Sequence, residues 1–317
     1  MNFLSDIQGI HIKKNILLLE YTIFQLGGPC PFLIECATPQ QLKQVVAKFS
    51  ENKLFFIVVG EGSNLLVSDQ GVDCTIVRYF SSKPQIEQED NIITVSASTR
   101  ADDLALFAVQ KGLAGLNCIT GIPGTVGGAV VGNAGAFGKQ ISECITSVSV
   151  LVPNGEVIDE EPRALDFRYR FSRFKETQEV ISEVKFSLSK GDRDSLLKKR
   201  DEILLSRKDK HPDYRKDPCA GSFFKNVEPV APEEKRQAAG WFLDQVGSKK
   251  MSIGGAGVFE KHANIIIKKD KSCTAQDVYQ LSREMFKAVF DKFSLKLERE
   301  VRLMGNFEGD TDDRIIR

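Results

Sequence analysis

The spacing of hydrophobic positions changes along the chain, and each change marks an element. Phe32 to Cys36 predicts a short strand. Thr38-Pro39 then opens a helix, with Thr38 as N-cap and Pro39 at the first helical position, where a missing amide leaves no bond unmade. Leu42, Val45, Val46 and Phe49 supply its apolar stripe. Leu54 to Val59 is a continuous apolar run, read as a buried strand that feeds into Gly60-Glu61-Gly62-Ser63-Asn64. Ile76 to Tyr79 and Ile92 to Ala97 predict further strands. Asp102 to Lys111 predicts a helix with Leu104, Phe107 and Ala108 on one face. Val148 to Val152 and Glu156 to Ile158 read as a hairpin around the turn Pro153-Asn154-Gly155. Val180 to Leu188 alternates apolar and polar, as a half-buried strand does.

Asp192 to Lys210 predicts a charged helix with a narrow stripe at Leu196, Leu197, Ile203 and Leu204, its lysines and arginines forming a solvated face. Pro212 to Pro218 is a loop and a candidate boundary, and Ala238 to Val246 a short helix. Thr274 caps the last long helix, with Asp277 at its third position and Val278, Leu281, Met285, Val289 and Phe293 at helical spacing. Leu295 to Leu303 switches to alternation and reads as a strand. Helices and strands are interspersed without a regular βαβ period or an internal repeat, which predicts an α+β protein of several subdomains.

Composition narrows this picture. A chain of 317 residues, 42% hydrophobic and 27% charged, suits a globular protein with more than one core. Lys plus Arg and Asp plus Glu each number 43, so there is no cation excess of the kind a nucleic-acid binder uses. The seven cysteines are odd in number and form no C-x-x-C, which fits a reducing cytoplasm better than a disulfide framework. The three histidines stand far apart in sequence, so no metal site is expected. The start, MNFLSDIQ, lacks the features of a secretory signal, and no apolar run reaches the roughly 20 residues of a membrane span. No membrane association and no obligate protein partner is expected.

Two glycine-rich segments carry the candidate chemistry. Val59-Gly60-Glu61-Gly62-Ser63-Asn64-Leu65-Leu66 follows a predicted strand. Gly121-Ile122-Pro123-Gly124-Thr125-Val126-Gly127-Gly128 continues to Asn133-Ala134-Gly135-Ala136-Phe137-Gly138. Glycine allows close backbone approach to a ligand, and successive amides form a concave anion site. No charged residue occurs from Leu113 to Gly138, so a diphosphate there would be held by amides and by hydroxyls such as Thr120 and Thr125. The first segment is not a Rossmann fingerprint, because Leu65 stands where the third glycine belongs. The second is not a P-loop, because Gln140 replaces Ser/Thr after Gly138-Lys139. The pattern favours a nucleotide cofactor over glycines that merely pack in turns.

At these residues the chain resembles the family of UDP-N-acetylenolpyruvoylglucosamine reductases. The resemblance covers nearly the whole chain: Tyr21-Thr22 and Phe24 to Gly28; both glycine-rich segments, the second led in by Gly112 to Leu116; Phe167-Arg168-Tyr169-Arg170-Phe171-Ser172; Arg207-x-x-Lys210-x-Pro212; Ala220-Gly221-Ser222-Phe223-Phe224-Lys225-Asn226; Ala239 to Asp244; Lys261-His262-Ala263-Asn264; and Leu297 to Arg302. It implies a multi-subdomain flavoprotein with the vanillyl-alcohol oxidase (PCMH-type) FAD-binding fold. Residues 1–75, completed by 295–317, and residues 76–200 would be the FAD-binding subdomains, and 201–294 the UDP-sugar subdomain. Val227 stands where many relatives have proline, and Ser248-Lys249-Lys250 replaces a segment that often contains glycine. No insertion between Tyr169 and Pro212 would carry a substrate-covering tyrosine loop, which points to the branch of the family without one.

The reaction so implied is NADPH-dependent reduction of UDP-N-acetylglucosamine enolpyruvate to UDP-N-acetylmuramate in peptidoglycan precursor synthesis, through non-covalent FAD. The resemblance implies cofactor contacts at Gly60, Glu61, Gly62, Ser63, Asn64 and Leu65, and at Gly121, Ile122, Pro123, Gly124, Val126, Gly127, Gly128, Asn133, Gly135 and Ala136. It implies Arg170 as anion stabiliser, Ser222 as proton donor and Glu300 as the group that polarises the reacting centre. Tyr169, Lys210, Lys225 and Asn226 are implied substrate residues. From the residues alone, Arg170 sits in a basic cluster with Arg168 and Arg173, the usual setting of a surface ion pair, and Ser222 follows a glycine as turn residues do. Glu298 and Glu300 share one face of an alternating strand, and pattern does not choose between them; nor does it choose between Lys210 and Lys225 for the diphosphate. A flavin oxidase and a non-catalytic nucleotide-binding module are the rival readings.

Overall fold

The computed structural model describes residues 1–152, 155–229 and 236–309. The chain divides into two compact units, each assembled from separated stretches. One comprises Met1–Lys14, Phe32–Glu61 and Cys74–Arg207; the other comprises Asn15–Pro31, Gly62–Asp73 and the described residues from Lys208 onward.

In the first unit, Thr38 begins the helix Pro39–Glu51 with a reciprocal cap. Its hydroxyl accepts the Gln41 amide and the Gln41 side chain accepts the Thr38 amide, both at 3.2 Å. Leu42, Val45, Val46 and Phe49 are all buried, as their spacing requires. The strands Pro29–Cys36, Thr75–Tyr79 and Phe56–Val59 pair in parallel in that order. A five-stranded antiparallel sheet runs in the order Val157–Glu160, Ile145–Leu151, Val180–Ser187, Ile92–Ser96, Ile86–Glu89. One continuous hydrophobic cluster fills this unit, from Leu4 through the helix Ala101–Gln110 to Leu188.

The run 54–59 departs from the sequence reading. Leu54 and Phe55 are exposed, the strand begins at Phe56, and only Ile57 within it is buried. Phe56–Val59 is an edge strand, so an apolar run that would suit a strand covered on all sides is here covered only in part. The hairpin partners pair antiparallel, with Leu151 opposite Val157 and Val150 opposite Ile158. Of its turn, Pro153 and Asn154 lie outside the described residues, and Gly155 adopts φ +84°.

The charged helix spans Arg193–Lys210, and its face is not wholly solvated. Arg200 is buried together with Ile203, while Leu196, Leu197 and Leu204 are half-buried. The arginine is tolerated there because it forms a two-pronged ion pair with Asp102, with N–O distances of 2.8 and 2.7 Å.

In the second unit, Thr274 and Asp277 form the expected capping box on the helix Ala275–Phe293, which buries Val278, Leu281, Met285 and Val289. A four-stranded antiparallel sheet runs in the order Cys219–Ser222, Ile265–Lys268, Ala256–Val258, Ser252–Ile253. The tail differs from the continuous strand read over 295–303. Residues 298–300 lie antiparallel to 223–225, with the Lys225 amide donating to the Glu298 carbonyl at 2.7 Å and the Glu300 amide donating to the Phe223 carbonyl at 2.8 Å. The chain then changes partner, and Arg302–Met304 pairs in parallel with Leu65–Val67. Leu297, Val301 and Leu303 stay buried, so the alternation is real while the ladder is divided. No helix among the described residues is long and apolar enough to cross a membrane.

Candidate functional site

The second glycine-rich segment is uncharged itself but is braced by carboxylates from outside it. The Gly121 amide donates to Asp102 Oδ1 at 2.6 Å, and Asp102 is the carboxylate held by Arg200. The Gly124 amide donates to Glu61 Oε2 at 3.0 Å, while Glu61 Oε1 meets Arg100 at 2.7 Å. The Val126 and Gly127 amides go to the Thr99 and Ala97 carbonyls, and the Gly128 amide goes to the Thr125 hydroxyl that caps the short helix Val126–Val131. The amides that sequence reasoning offered to a diphosphate are therefore largely spent in holding the segment's shape.

What the protein leaves unsatisfied here are side-chain groups. The Thr120 hydroxyl, on a residue with no exposure, has no hydrogen-bond partner among the described residues, and neither has Asn117 Oδ1 nor Arg207 Nε. A buried polar group without a partner costs about 1–3 kcal/mol, and a polar ligand at Gly121 would satisfy Thr120, its neighbour in the chain, and Arg207. Arg207 packs against Gly121, where a β-carbon would come within 3.0 Å of its Cδ. Burial pushes the Arg207 pKa down and Arg170 adds to that, with Asp102 opposing. Gly60 is needed because a β-carbon would lie 2.4 Å from Thr125 Oγ1; at exposed Gly128 a β-carbon would make an ordinary contact with that oxygen, at 3.5 Å. An unsatisfied hydroxyl, a buried guanidinium and an uncharged, open-faced backbone fit the polar and anionic parts of a dinucleotide such as FAD.

Tyr169-Arg170 lies against the same segment. Asn133 and Arg170 both adopt left-handed backbone, φ +42° and +53°, a strained choice for residues with a β-carbon. Two things hold them there. The Asn133 side chain donates to the Arg168 carbonyl at 2.9 Å, and the Arg170 guanidinium donates to the Gly135 carbonyl at 2.8 Å. Tyr169 is half-buried, with its ring 5.2 Å from that guanidinium. Ile122 and Ala136 are half-buried and Pro123 is exposed.

In the second unit, Gly62 (φ +64°) leads through Ser63 to Asn64, whose side chain donates to the Glu300 carbonyl at 3.1 Å and whose carbonyl accepts the Arg302 amide at 3.0 Å. Leu65 opens the strand paired with Arg302–Met304. Ser222 ends the strand Cys219–Ser222 beside a bulge: Cys219 pairs with Ile267 and Ser222 with Ile265, so one extra residue is accommodated, at Gly221 with φ +76°. The structure thus brings Ser222 and Glu300 onto adjoining segments. It also separates the two glutamates, because Glu298 meets Lys225 Nζ at 2.6 Å. Asn226 accepts the Ala239 amide at 3.2 Å, at the start of the helix Ala239–Gln245, and Lys210 is exposed at the end of its helix.

Sequence reasoning did not single out Asp102, Arg200, Arg207 or Asn264. Arg207 and Asn264 do stand in motifs that carried the resemblance. Asp102 and Arg200 left no signal, since their pairing links positions 98 residues apart.

Fold and site together define an FAD-dependent oxidoreductase. The family described as FAD binding domain matches residues 30–160, and that described as UDP-N-acetylenolpyruvoylglucosamine reductase, C-terminal domain, matches residues 212–304. The chain is 35% identical over 295 residues to the UDP-N-acetylenolpyruvoylglucosamine reductase of Clostridium novyi, covering 93% of this chain and 92% of that one. It is 36% identical over 295 residues to that of Carboxydothermus hydrogenoformans, covering 93% and 94%. The crystal structure of the Thermus caldophilus UDP-N-acetylenolpyruvylglucosamine reductase superposes with a TM-score of 0.76 at 29% identity, covering 93% of this chain and 99% of that one. The chain belongs to the UDP-N-acetylenolpyruvoylglucosamine reductase family.

Proposed function

We propose that this chain reduces UDP-N-acetylglucosamine enolpyruvate to UDP-N-acetylmuramate with NADPH, as a step of peptidoglycan precursor synthesis in the cytoplasm. One hydride and one proton add across the enolpyruvyl double bond, and NADPH becomes NADP⁺. FAD, when bound, relays the hydride. Every other role belongs to the chain.

Arg170 holds the substrate carboxylate and stabilises the negative charge that spreads onto it from the adjacent carbon as hydride arrives at the methylene carbon. A guanidinium stays charged and presents a fork that matches a carboxylate. Ser222 gives its hydroxyl proton to the carbon that has become carbanionic; a weak acid suffices against so strong a base. Glu300 polarises the same centre, a role supported over Glu298 because Glu298 already faces Lys225. That ion pair also favours Lys210 over Lys225 for the diphosphate. Thr120 and Arg207 hold polar parts of the cofactor, whereas Glu61 acts behind the Gly124 amide.

The observation that carries this reading is the antiparallel apposition of the Ser222 segment with the Glu300 segment in a member of this family. Ser222→Ala is expected to leave flavin reduction by NADPH within about twofold while slowing reoxidation of the flavin by the enolpyruvyl sugar at least about 10²-fold. Stopped-flow absorbance of each half-reaction measures both. Equal rates in the second half-reaction would remove Ser222 as proton donor. Flavin reduction with no turnover of the sugar by the wild type would point to another reductase.

A further inference from the structure

Ser222 is proposed above as the proton donor, and one side chain outside the family's assigned roles controls where it stands. Asn264 is 2% exposed. Its Oδ1 accepts the Phe224 amide at 3.0 Å and its Nδ2 donates to the Phe224 carbonyl at 2.8 Å, so a single carboxamide satisfies both backbone groups of one residue. The Asn264 carbonyl accepts the Phe223 amide at 2.8 Å, and the Asn264 amide donates to His262 Nδ1 at 3.3 Å. The assignment of oxygen and nitrogen is fixed chemically, because the reverse orientation would set donor against donor and acceptor against acceptor.

These bonds fall where an ordinary ladder fails. The pairing of Cys219–Ser222 with Ile265–Lys268 is interrupted by the extra residue at Gly221 and stops at Ser222. Immediately beyond it, Asn264 takes the place of a partner strand. Phe223, seized by the Asn264 backbone, in turn accepts the Glu300 amide at 2.8 Å. Glycine on one side of Ser222 allows the backbone to turn, and Asn264 on the other side determines where the turn ends.

We infer that Asn264 is a positioning residue for the Ser222 hydroxyl: it fixes the main chain just after the bulge so that the proton is delivered in the correct direction. This rests on the Ser222 reading, and the test separates the two. Asn264→Asp keeps size and acceptor but loses the donor to the Phe224 carbonyl. The expected result, in purified flavin-loaded enzyme, is flavin reduction by NADPH within about twofold of wild type and reoxidation by UDP-N-acetylglucosamine enolpyruvate slowed at least about tenfold. Asn264→Ser is the second variant should the aspartate fail to fold, with the same expectation. On a Ser222→Ala background the Asn264 substitution should cost less than about threefold, since the group it positions is gone. Two results overturn the inference: both half-reactions slowed in equal proportion, as a merely structural role would give, or the full loss retained on the Ser222→Ala background. Should Ser222→Ala alone leave both half-reactions at wild-type rates, the Ser222 assignment falls first, and the inference falls with it.

Discussion

At Gly221 the requirement for glycine is conformational: φ is +76°, and a β-carbon would meet no atom within 4 Å. At Gly60 it is steric, set by Thr125 Oγ1. Both glycines were visible in the sequence, but which constraint each answers to was not, since that depends on residues far away in the chain. His262 makes a similar point through its charge. Burial pushes its pKa down, with Lys249 adding to the effect and a backbone hydrogen bond opposing it. Its Nδ1 accepts the Asn264 amide, so the ring is held neutral beside His211, whose ring centre lies 5.4 Å away. The sign follows directly. Because the folded value lies below the unfolded value of about 6.5, the unfolded chain takes up the proton first as pH falls. Stability from the neutral ring is complete above that value and is lost progressively below it. His262→Gln, which keeps an acceptor for the Asn264 amide, should therefore show a shallower fall in Tm than wild type between pH 7 and pH 5. Differential scanning fluorimetry across that range checks it, and parallel curves would refute it.

Among the elements, the helix Arg193–Lys210 shows how a charged pattern can conceal an interior face. Its lysines and arginines suggest a solvated surface, yet Arg200 is 6% exposed and reaches Asp102, which in turn holds the Gly121 amide. A helix with few apolar positions is thereby docked by an ion pair that also sets the first residue of the glycine-rich segment. Arg200→Met is expected to lower stability by about 1–3 kcal/mol in urea unfolding, a figure kept modest because the Asp102 side chain is 37% exposed. Asp102→Ala should raise the dissociation constant for FAD at least about fivefold in a titration of deflavinated protein, because Gly121 loses its acceptor. An unaltered FAD affinity would show that the brace serves the fold alone. The edge strand Phe56–Val59 teaches the converse lesson: an apolar run specifies a strand but not how many of its sides are covered.

On the scale of the whole molecule, each unit is built from stretches that are not contiguous, and the first glycine-rich segment contributes Gly60 and Glu61 to one unit and Gly62 onward to the other. Non-contiguous units depend on long-range pairings, such as Arg302–Met304 with Leu65–Val67, for their existence. A ligand that binds only the folded chain should then stabilise it by mass action. FAD at 100 times its dissociation constant is worth about 2.7 kcal/mol, which should appear as a rise of several degrees in the Tm of deflavinated protein. No rise on adding FAD, with intact secondary structure by circular dichroism, would contradict a cofactor site.

The sequence alone determined the family, the two glycine-rich segments, the caps at Thr38 and Thr274 and the periods of most helices and strands. The caps and periods depend on residues close together in the chain, where local geometry and hydrogen bonding act without help, and the family is legible in the order of short motifs along it. Only the tertiary structure decided that the glycine amides are spent on Asp102 and Glu61, that Glu298 rather than Glu300 faces Lys225, and that Asn264 stands against Phe224. Those choices arise where a donor must find an acceptor, and the acceptor nearest in space lies 19 to 73 residues away in the chain.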